Sequence, residues 1–254
     1  GFELVYEFAK NFRNEGMDRD HNPEFTMLEF YAAYWDYEKM MSFLEKMLQQ
    51  VVRVVSSDLK LNYQGQEIDL AGHYPKISFN DLFKKYTNIN YDEADEETLI
   101  AKAKELEIKI EKAMTKGNVA DEIYKKVARP HIINPTFIIN HPVEISPLSK
   151  KLEKDLEHVA RFQLVAGGTE VMNGFSELND PLDQRERFEE QEKTANKGNK
   201  EAHRLDEDFI EALEYGMPPA AGVGIGIDRL SALLTDCHSV REVIAFPLMK
   251  PKEK

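Results

Sequence analysis

The feature that most constrains this chain is the stretch Phe12–Tyr31, Phe-Arg-Asn-Glu-Gly-Met-Asp-Arg-Asp-His-Asn-Pro-Glu-Phe-Thr-Met-Leu-Glu-Phe-Tyr. It reads as strand, loop, strand. Before it, Leu4, Tyr6, Phe8 and Phe12 share one parity and Val5, Ala9 and Asn11 the other, which is the period of a strand. Gly16 to Pro23 is polar and turn-forming, and its Asn-Pro step resists helix. From Phe25 the alternation resumes, so Phe25, Met27, Glu29 and Tyr31 share a face. Antiparallel pairing sets Arg13 and Glu15 beside that face, with His21 overhanging from the loop. A guanidinium fork there can bond a planar anion such as phosphate bidentately. A carboxylate beside it can hold an amine or a ribose hydroxyl. A solvated hairpin with incidental charges is the simpler alternative, but such a hairpin has little need of large aromatics on its polar face.

A chain of 254 residues with 42% hydrophobic content can bury a large core, as one domain or one domain with an insertion. It contains no run of about 18 apolar residues, so no membrane span is expected. Its first residues are not a signal segment. The single cysteine, Cys237, excludes an internal disulfide and fits a reducing, cytoplasmic compartment. Beside His238 it makes one Cys–His pair, which is packing rather than a metal site. The net charge of −13 argues against strong binding of a nucleic-acid backbone and for a small-molecule site.

Along the chain, Asp36 is placed to cap a helix whose apolar stripe is Met40, Met41, Leu44, Met47, Leu48, Val51 and Val55. Short strands follow around Tyr63 to Asp69 and Pro75 to Phe79. Residues 80–128 are charged and helical in pattern (Leu99, Ala103, Leu106, Ile110), with a break expected at Gly117-Asn118. This reads as a small, peripheral helical insertion, and Asp92–Glu97 as a solvated helix start. Thr136-Phe-Ile-Ile reads as a buried strand. His131, His141 and His158 lack zinc spacing and read as structural. Residues 180–215 read as a charged surface helix pair.

The segment Arg161 to Asp180 reads as two strands around a tight turn. A two-residue loop at Ala166-Gly167 sets Gln163 opposite Glu170. Asn173, Phe175 and Glu177 then share a parity that Glu170 lacks, so a bulge is needed to bring Glu170 and Glu177 to one pocket, and Gly174 is the candidate place. Glu177 can pair an ammonium and Phe175 flank it. Near the end, Gly222, Gly224 and Gly226 alternate with Val223, Ile225 and Ile227, making one strand face bare backbone that a flat ring can approach. A dinucleotide fingerprint fails, because its third glycine would fall at Ile227. Asp228 is placed to cap the following helix. Arg229 sits in its first turn, where the dipole disfavours a cation unless an anionic ligand, such as a triphosphate, relieves the cost.

The Phe-Arg-Asn-Glu and His-Asn-Pro-Glu-Phe-Thr runs closely resemble motif 2 of the class II lysyl-tRNA synthetases. The stretch Gly222-Val-Gly-Ile-Gly-Ile-Asp-Arg resembles motif 3. The resemblance spans nearly all 254 residues and implies the α+β class II catalytic fold, an antiparallel sheet flanked by helices, with residues 80–128 as an insertion. It implies activation of lysine by ATP with Mg²⁺, giving lysyl-adenylate, and transfer to tRNA(Lys), with Arg13 and Arg229 as the catalytic cations. It assigns Arg13, Glu15, His21, Asn22, Phe25, Glu170, Gly226 and Arg229 to ATP, with Phe25 stacking on adenine. Glu29, Tyr31, Asn173, Phe175 and Glu177 fall to lysine, and Glu170 to the metal. The family's other metal carboxylate is replaced here by Gln163. The family's motif 1, anticodon-binding domain and dimer contacts precede the residue matching Gly1, so the chain is expected to be a fragment or truncation of a homodimeric protein. Two alternatives remain: a paralogue that transfers lysine to a protein, which the third motif's glycines disfavour, and a non-catalytic synthetase-derived binding module.

Overall fold

The computed structural model describes residues 1–14, 16–111, 114–195 and 204–249. Its strands are β1 (Leu4–Phe12), β2 (Glu24–Ala33), β3 (Lys60–Tyr63), β4 (Gln66–Asp69), β5 (Lys76–Ser78), β6 (Thr136–Pro142), β7 (Lys151–Leu152), β8 (Asp155–Ala166), β9 (Thr169–Ser176) and β10 (Ala220–Gly226). Its helices are α1 (Tyr37–Val55), α2 (Phe79–Thr87), α3 (Glu96–Glu105), α4 (Lys116–Val127), α5 (Pro181–Ala195), α6 (Glu207–Glu214) and α7 (Ile227–Leu234). The main sheet runs β1-β2-β10-β9-β8-β6-β5, with β7 on β8, and β3-β4 is a separate hairpin. Every pair is antiparallel except β5 with β6. This is an α+β fold.

Register divides the sheet into two unlike faces, because directly opposed residues point the same way. Leu28, Ile225, Met172 and Leu164 lie in line across four strands. They join a core with Met40, Met41, Leu44, Leu48 and Val52 of α1, all essentially inaccessible. Asp36 caps α1 as expected, its carboxylate accepting from Lys39 N at 2.8 Å. The stripe ends differently from its sequence reading: Val52 is buried, whereas Val51 and Val55 are exposed. At 3.6 residues per turn the face that meets a flat sheet drifts from 51 to 52.

The other face carries the second core. Phe79, Phe83, Leu99, Val119, Ile123 and Tyr124, from α2–α4, pack with Ile138 of β6 and Val165 of β8. These helices share a core with the sheet, which corrects the expectation of a peripheral segment. Gly117 is no break. It lies inside α4, which starts one residue earlier behind a capping box of Thr115 and Asn118. The acidic run at 92–97 starts α3 as read, with Asp95 accepting from Thr98 N at 2.8 Å.

The β8–β9 turn also departs from its sequence reading. Its central residues are Gly167 and Gly168, both at positive φ (57° and 75°), the pattern of a type I′ hairpin. Ala166 therefore pairs Thr169, Glu170 pairs Val165, and Gln163 lies opposite Asn173 rather than Glu170.

Candidate active site

β2, β10 and β9 lie side by side and bring the three sequence motifs onto one sheet face. Along this face Glu29, Gly224 and Asn173 form one rung, and Tyr31, Gly222 and Phe175 the next. Glu170 joins them through a bulge. It falls between the Leu164–Met172 and Val165–Glu170 pairs, leaving Val171 as the extra residue, so the parity change lies there and not at Gly174. Gly174 points to the opposite face, where a β-carbon would stand 2.5 Å from the Phe162 ring.

One cavity is lined by both arginines. Its walls are Arg13, Asp20, His21, Asn22 and Phe25 from the motif 2 hairpin and Asp228 and Arg229 from α7, and its floor includes Gly224, Gly226, Glu170 and Asn173. The Arg13 guanidinium lies over the Phe25 ring, 5.2 Å from its centroid. Arg229 reaches across: Nε donates to Asp20 O at 3.1 Å and Nη1 to Glu170 O at 3.2 Å, while Nη2 meets His21 Nε2 at 3.0 Å. A guanidinium has no acceptor, so His21 Nε2 accepts and its proton sits on Nδ1. That nitrogen lies 2.9 Å from both oxygens of Asp18. Partial burial pushes Asp18 up, but hydrogen bonds from His21 and Asp20 outweigh it and hold the carboxyl below its usual range. Asn22 is buried and braces the loop through Nδ2 to Glu24 O at 2.7 Å.

Asp228 does not cap α7 as its position suggested. Gly226 occupies the N-cap, and the Asp228 carboxylate accepts from Thr26 N at 2.7 Å, extending the β2–β10 pairing by one side-chain bond. Glu15 lies outside the described residues, so its expected contact with a nucleotide has no structural account.

Glu29, Tyr31, Phe175 and Glu177 do not line that cavity. They stand on the adjoining rungs of the same face and meet it at Gly224, the rung that Glu29 shares with Asn173. A β-carbon on Gly222 would come within 2.2 Å of Glu177 Oε1 and 2.6 Å of the Tyr31 ring, so the bare backbone there is filled by those two side chains. Burial alone pushes the Glu177 carboxyl up to about 8. Tyr31 rises to about 12 through burial and the neighbouring Glu29 and Glu177 carboxylates. A largely buried carboxyl with no ion pair among the described residues is poised to receive a cation.

A family model described as class II tRNA synthetases (D, K and N) matches residues 1–250. The chain belongs to the class II tRNA synthetases. Among its relatives it is 47% identical to a lysine–tRNA ligase of Moorella thermoacetica, with all of this chain and 52% of that protein covered. It is 48% identical to the lysine–tRNA ligase of Carboxydothermus hydrogenoformans, over all of this chain and 52% of that protein. It is 49% identical to that of Aquifex aeolicus, over all of this chain and 43% of that protein. The chain spans about half the length of the curated relatives it matches.

Two side chains that brace the lining of this site escaped sequence reasoning. Asp18 holds His21 from within a loop that offers only turn residues, and Arg161 donates to Asn173 Oδ1 from β8. Neither carries a periodic or spacing signal, because each reaches the site through a side chain whose direction only the fold sets. Among the described residues no helix is long and apolar enough to cross a membrane, and no group of three or more His, Cys, Asp or Glu side chains could hold a metal.

Proposed function

We propose that this chain carries the site that activates lysine with ATP, giving lysyl-adenylate and pyrophosphate, for transfer of the lysyl group to tRNA(Lys). The observation that carries this reading is the single cavity walled by Arg13 and Arg229, continuous along one sheet face with the buried Glu177 carboxyl. The two guanidiniums would offset the charge of the phosphates, while the bare Gly224 and Gly226 backbone admits the adenine ring beside Phe25. His21 and Asn22 would hold the nucleotide from the loop. Glu177, flanked by Phe175 and with Tyr31 and Glu29 above it, would take the side-chain ammonium of lysine. Bound this way, lysine directs its carboxylate toward the α-phosphate, which it attacks as pyrophosphate leaves.

The residues present fit Mg²⁺ brought in with ATP. Glu170 is a carboxylate on the cavity floor, and Mg²⁺ is commonly held by one or two carboxylates together with phosphate oxygens and water. When bound it would add charge neutralisation on the phosphates. The neutral Gln163 adds no second carboxylate. We read residues 80–128 as an insertion within one catalytic domain, and the intact protein as a homodimer.

Lysine-dependent exchange of labelled pyrophosphate into ATP tests the reading, run on the intact protein and on this chain with lysine, aspartate and asparagine in parallel. Exchange with lysine alone is the expected result. Exchange with aspartate or asparagine instead would remove the lysine assignment and keep the class, and no exchange in the intact protein would leave a binding module. Charging of tRNA, set against lysylation of a protein acceptor, then fixes the second step.

A further inference from the structure

Arg161 lies outside the cavity, half-buried on β8, and has no part in the chemistry above. Its Nε donates to Asn173 Oδ1 at 3.1 Å, while Nη1 donates to Ile145 O at 2.8 Å and Ser146 Oγ at 3.0 Å. The turn that receives it is itself braced. Buried Arg187 donates through Nη1 to Ser146 O at 3.0 Å and Ser149 O at 2.6 Å, and forks onto Asp183 with two 3.0 Å bonds. Glu144, in the same turn, accepts from Gly117 N at 2.7 Å. Arg161 is thus a strut with a fixed far end.

A guanidinium only donates, so the Asn173 atom it meets is the carboxamide oxygen, and the NH₂ group is turned away from it. Asn173 lines the cavity on the Gly224 rung, where the arginine-walled part meets the rungs that carry Glu177. We propose that Arg161 is a positioning residue that locks the Asn173 carboxamide with its two N–H donors facing this junction, so that Asn173 donates to an anionic oxygen there and turns away an ammonium. The inference rests on the proposed function and deepens it. Lysine carries a carboxylate at one end and an ammonium at the other, and a fixed donor at the junction favours the carboxylate end beside the nucleotide. A freely flipping amide would serve either orientation.

The test compares Arg161→Gln, Arg161→Lys and Asn173→Asp in the intact protein by pyrophosphate exchange. Arg161→Gln is expected to raise the KM for lysine roughly tenfold, the scale of one hydrogen bond to a charged group, with the KM for ATP changed less than about twofold. Arg161→Lys, which keeps a donor, should recover part of that loss. Asn173→Asp keeps a partner for Arg161 but replaces the donors with an acceptor, and should raise the lysine KM further. In the ligand-free protein, labelled with ¹⁵N-asparagine, the Asn173 side-chain NH₂ pair should move or broaden in Arg161→Gln. An unchanged lysine KM in folded Arg161→Gln overturns the proposal, as do equal losses for ATP and lysine that Arg161→Lys does not rescue. If Arg161→Gln does not fold, a wild-type lysine KM in both Arg161→Lys and Asn173→Asp overturns it. Absence of lysine-dependent exchange in the unsubstituted protein would sink the proposed function, whereas the amide signal reads the strut with no substrate present.

Discussion

At the scale of single residues, Glu177 holds the sharpest electrostatic consequence. Its carboxyl, normally ionised near pH 4.5, is pushed by burial up to about 8 in the folded chain. Between those two values the folded state binds the proton more tightly than the unfolded state. The stability this group contributes is therefore present at low pH and is lost as pH rises toward 8. An ammonium ligand needs the ionised form, so lysine affinity should rise by close to tenfold per pH unit from pH 6 and level off above pH 8. Glu177→Gln should flatten that profile and weaken lysine binding, while making the ligand-free protein no less stable at pH 8. Calorimetric titration of lysine across pH, with melting curves on the same samples, checks both signs. A flat profile in the unsubstituted protein would remove Glu177 from the ammonium site. The residues of this cluster were legible in the letters, since Asn173, Phe175 and Glu177 share a parity that any strand enforces. The place where Glu170 joins them was not, because a bulge is chosen by the hydrogen-bond ladder of both strands and leaves no signature in one.

At the scale of elements, β10 sets the spacing of the site through its glycines, and they are not equivalent. A methyl on Gly222 would meet the Tyr31 ring at 2.6 Å and Glu177 Oε1 at 2.2 Å, whereas on Gly224 the nearest atom is the flexible Met27 Cε at 2.4 Å. Gly222→Ala should therefore displace Tyr31 and Glu177 and, on the proposed function, raise the lysine KM by about tenfold or more, with a smaller change for ATP, as expected for overpacking at a rigid ring. Gly224→Ala should cost less, since Met27 can turn aside. Steady-state pyrophosphate exchange on the two variants decides it, and equal effects would mean that the glycines act only through backbone freedom. The alternating glycines were visible in the sequence. Which of them faces an aromatic ring and which faces a movable thioether depends on the register with β2, set by Gly222 opposite Tyr31 and Gly224 opposite Glu29.

At the scale of the whole molecule, α2–α4 pack on the same face of the sheet as the site, through Ile138 of β6 and Val165 of β8. Phe79, fully buried among Phe83, Tyr91 and Tyr124, holds that core together. Phe79→Ala should cost about 3–5 kcal/mol and, because this core is shared with β6 and β8, should lower a single cooperative melting transition. A separate low-temperature transition would instead make residues 80–128 an independent unit. The Tyr124 hydroxyl is buried without a partner among the described residues, and burial pushes its ionisation far up, so it stays protonated. Tyr124→Phe removes an unpaired polar group and should leave the melting temperature unchanged or raise it. The sequence by itself determined the motif 2 hairpin, the Asp36-capped helix α1, the glycine-lined strand and the parity of the acidic cluster. These follow from nearest-neighbour physics: side-chain alternation, turn chemistry and caps act over a few residues. Only the tertiary structure decided that β2, β10 and β9 lie side by side, so that Arg13 and Arg229 wall one cavity. It alone placed the helical segment against the sheet and ran Arg161 to Asn173. Those contacts join residues far apart in the chain, and they form only where burying two apolar faces outweighs the entropy of closing the loops between them.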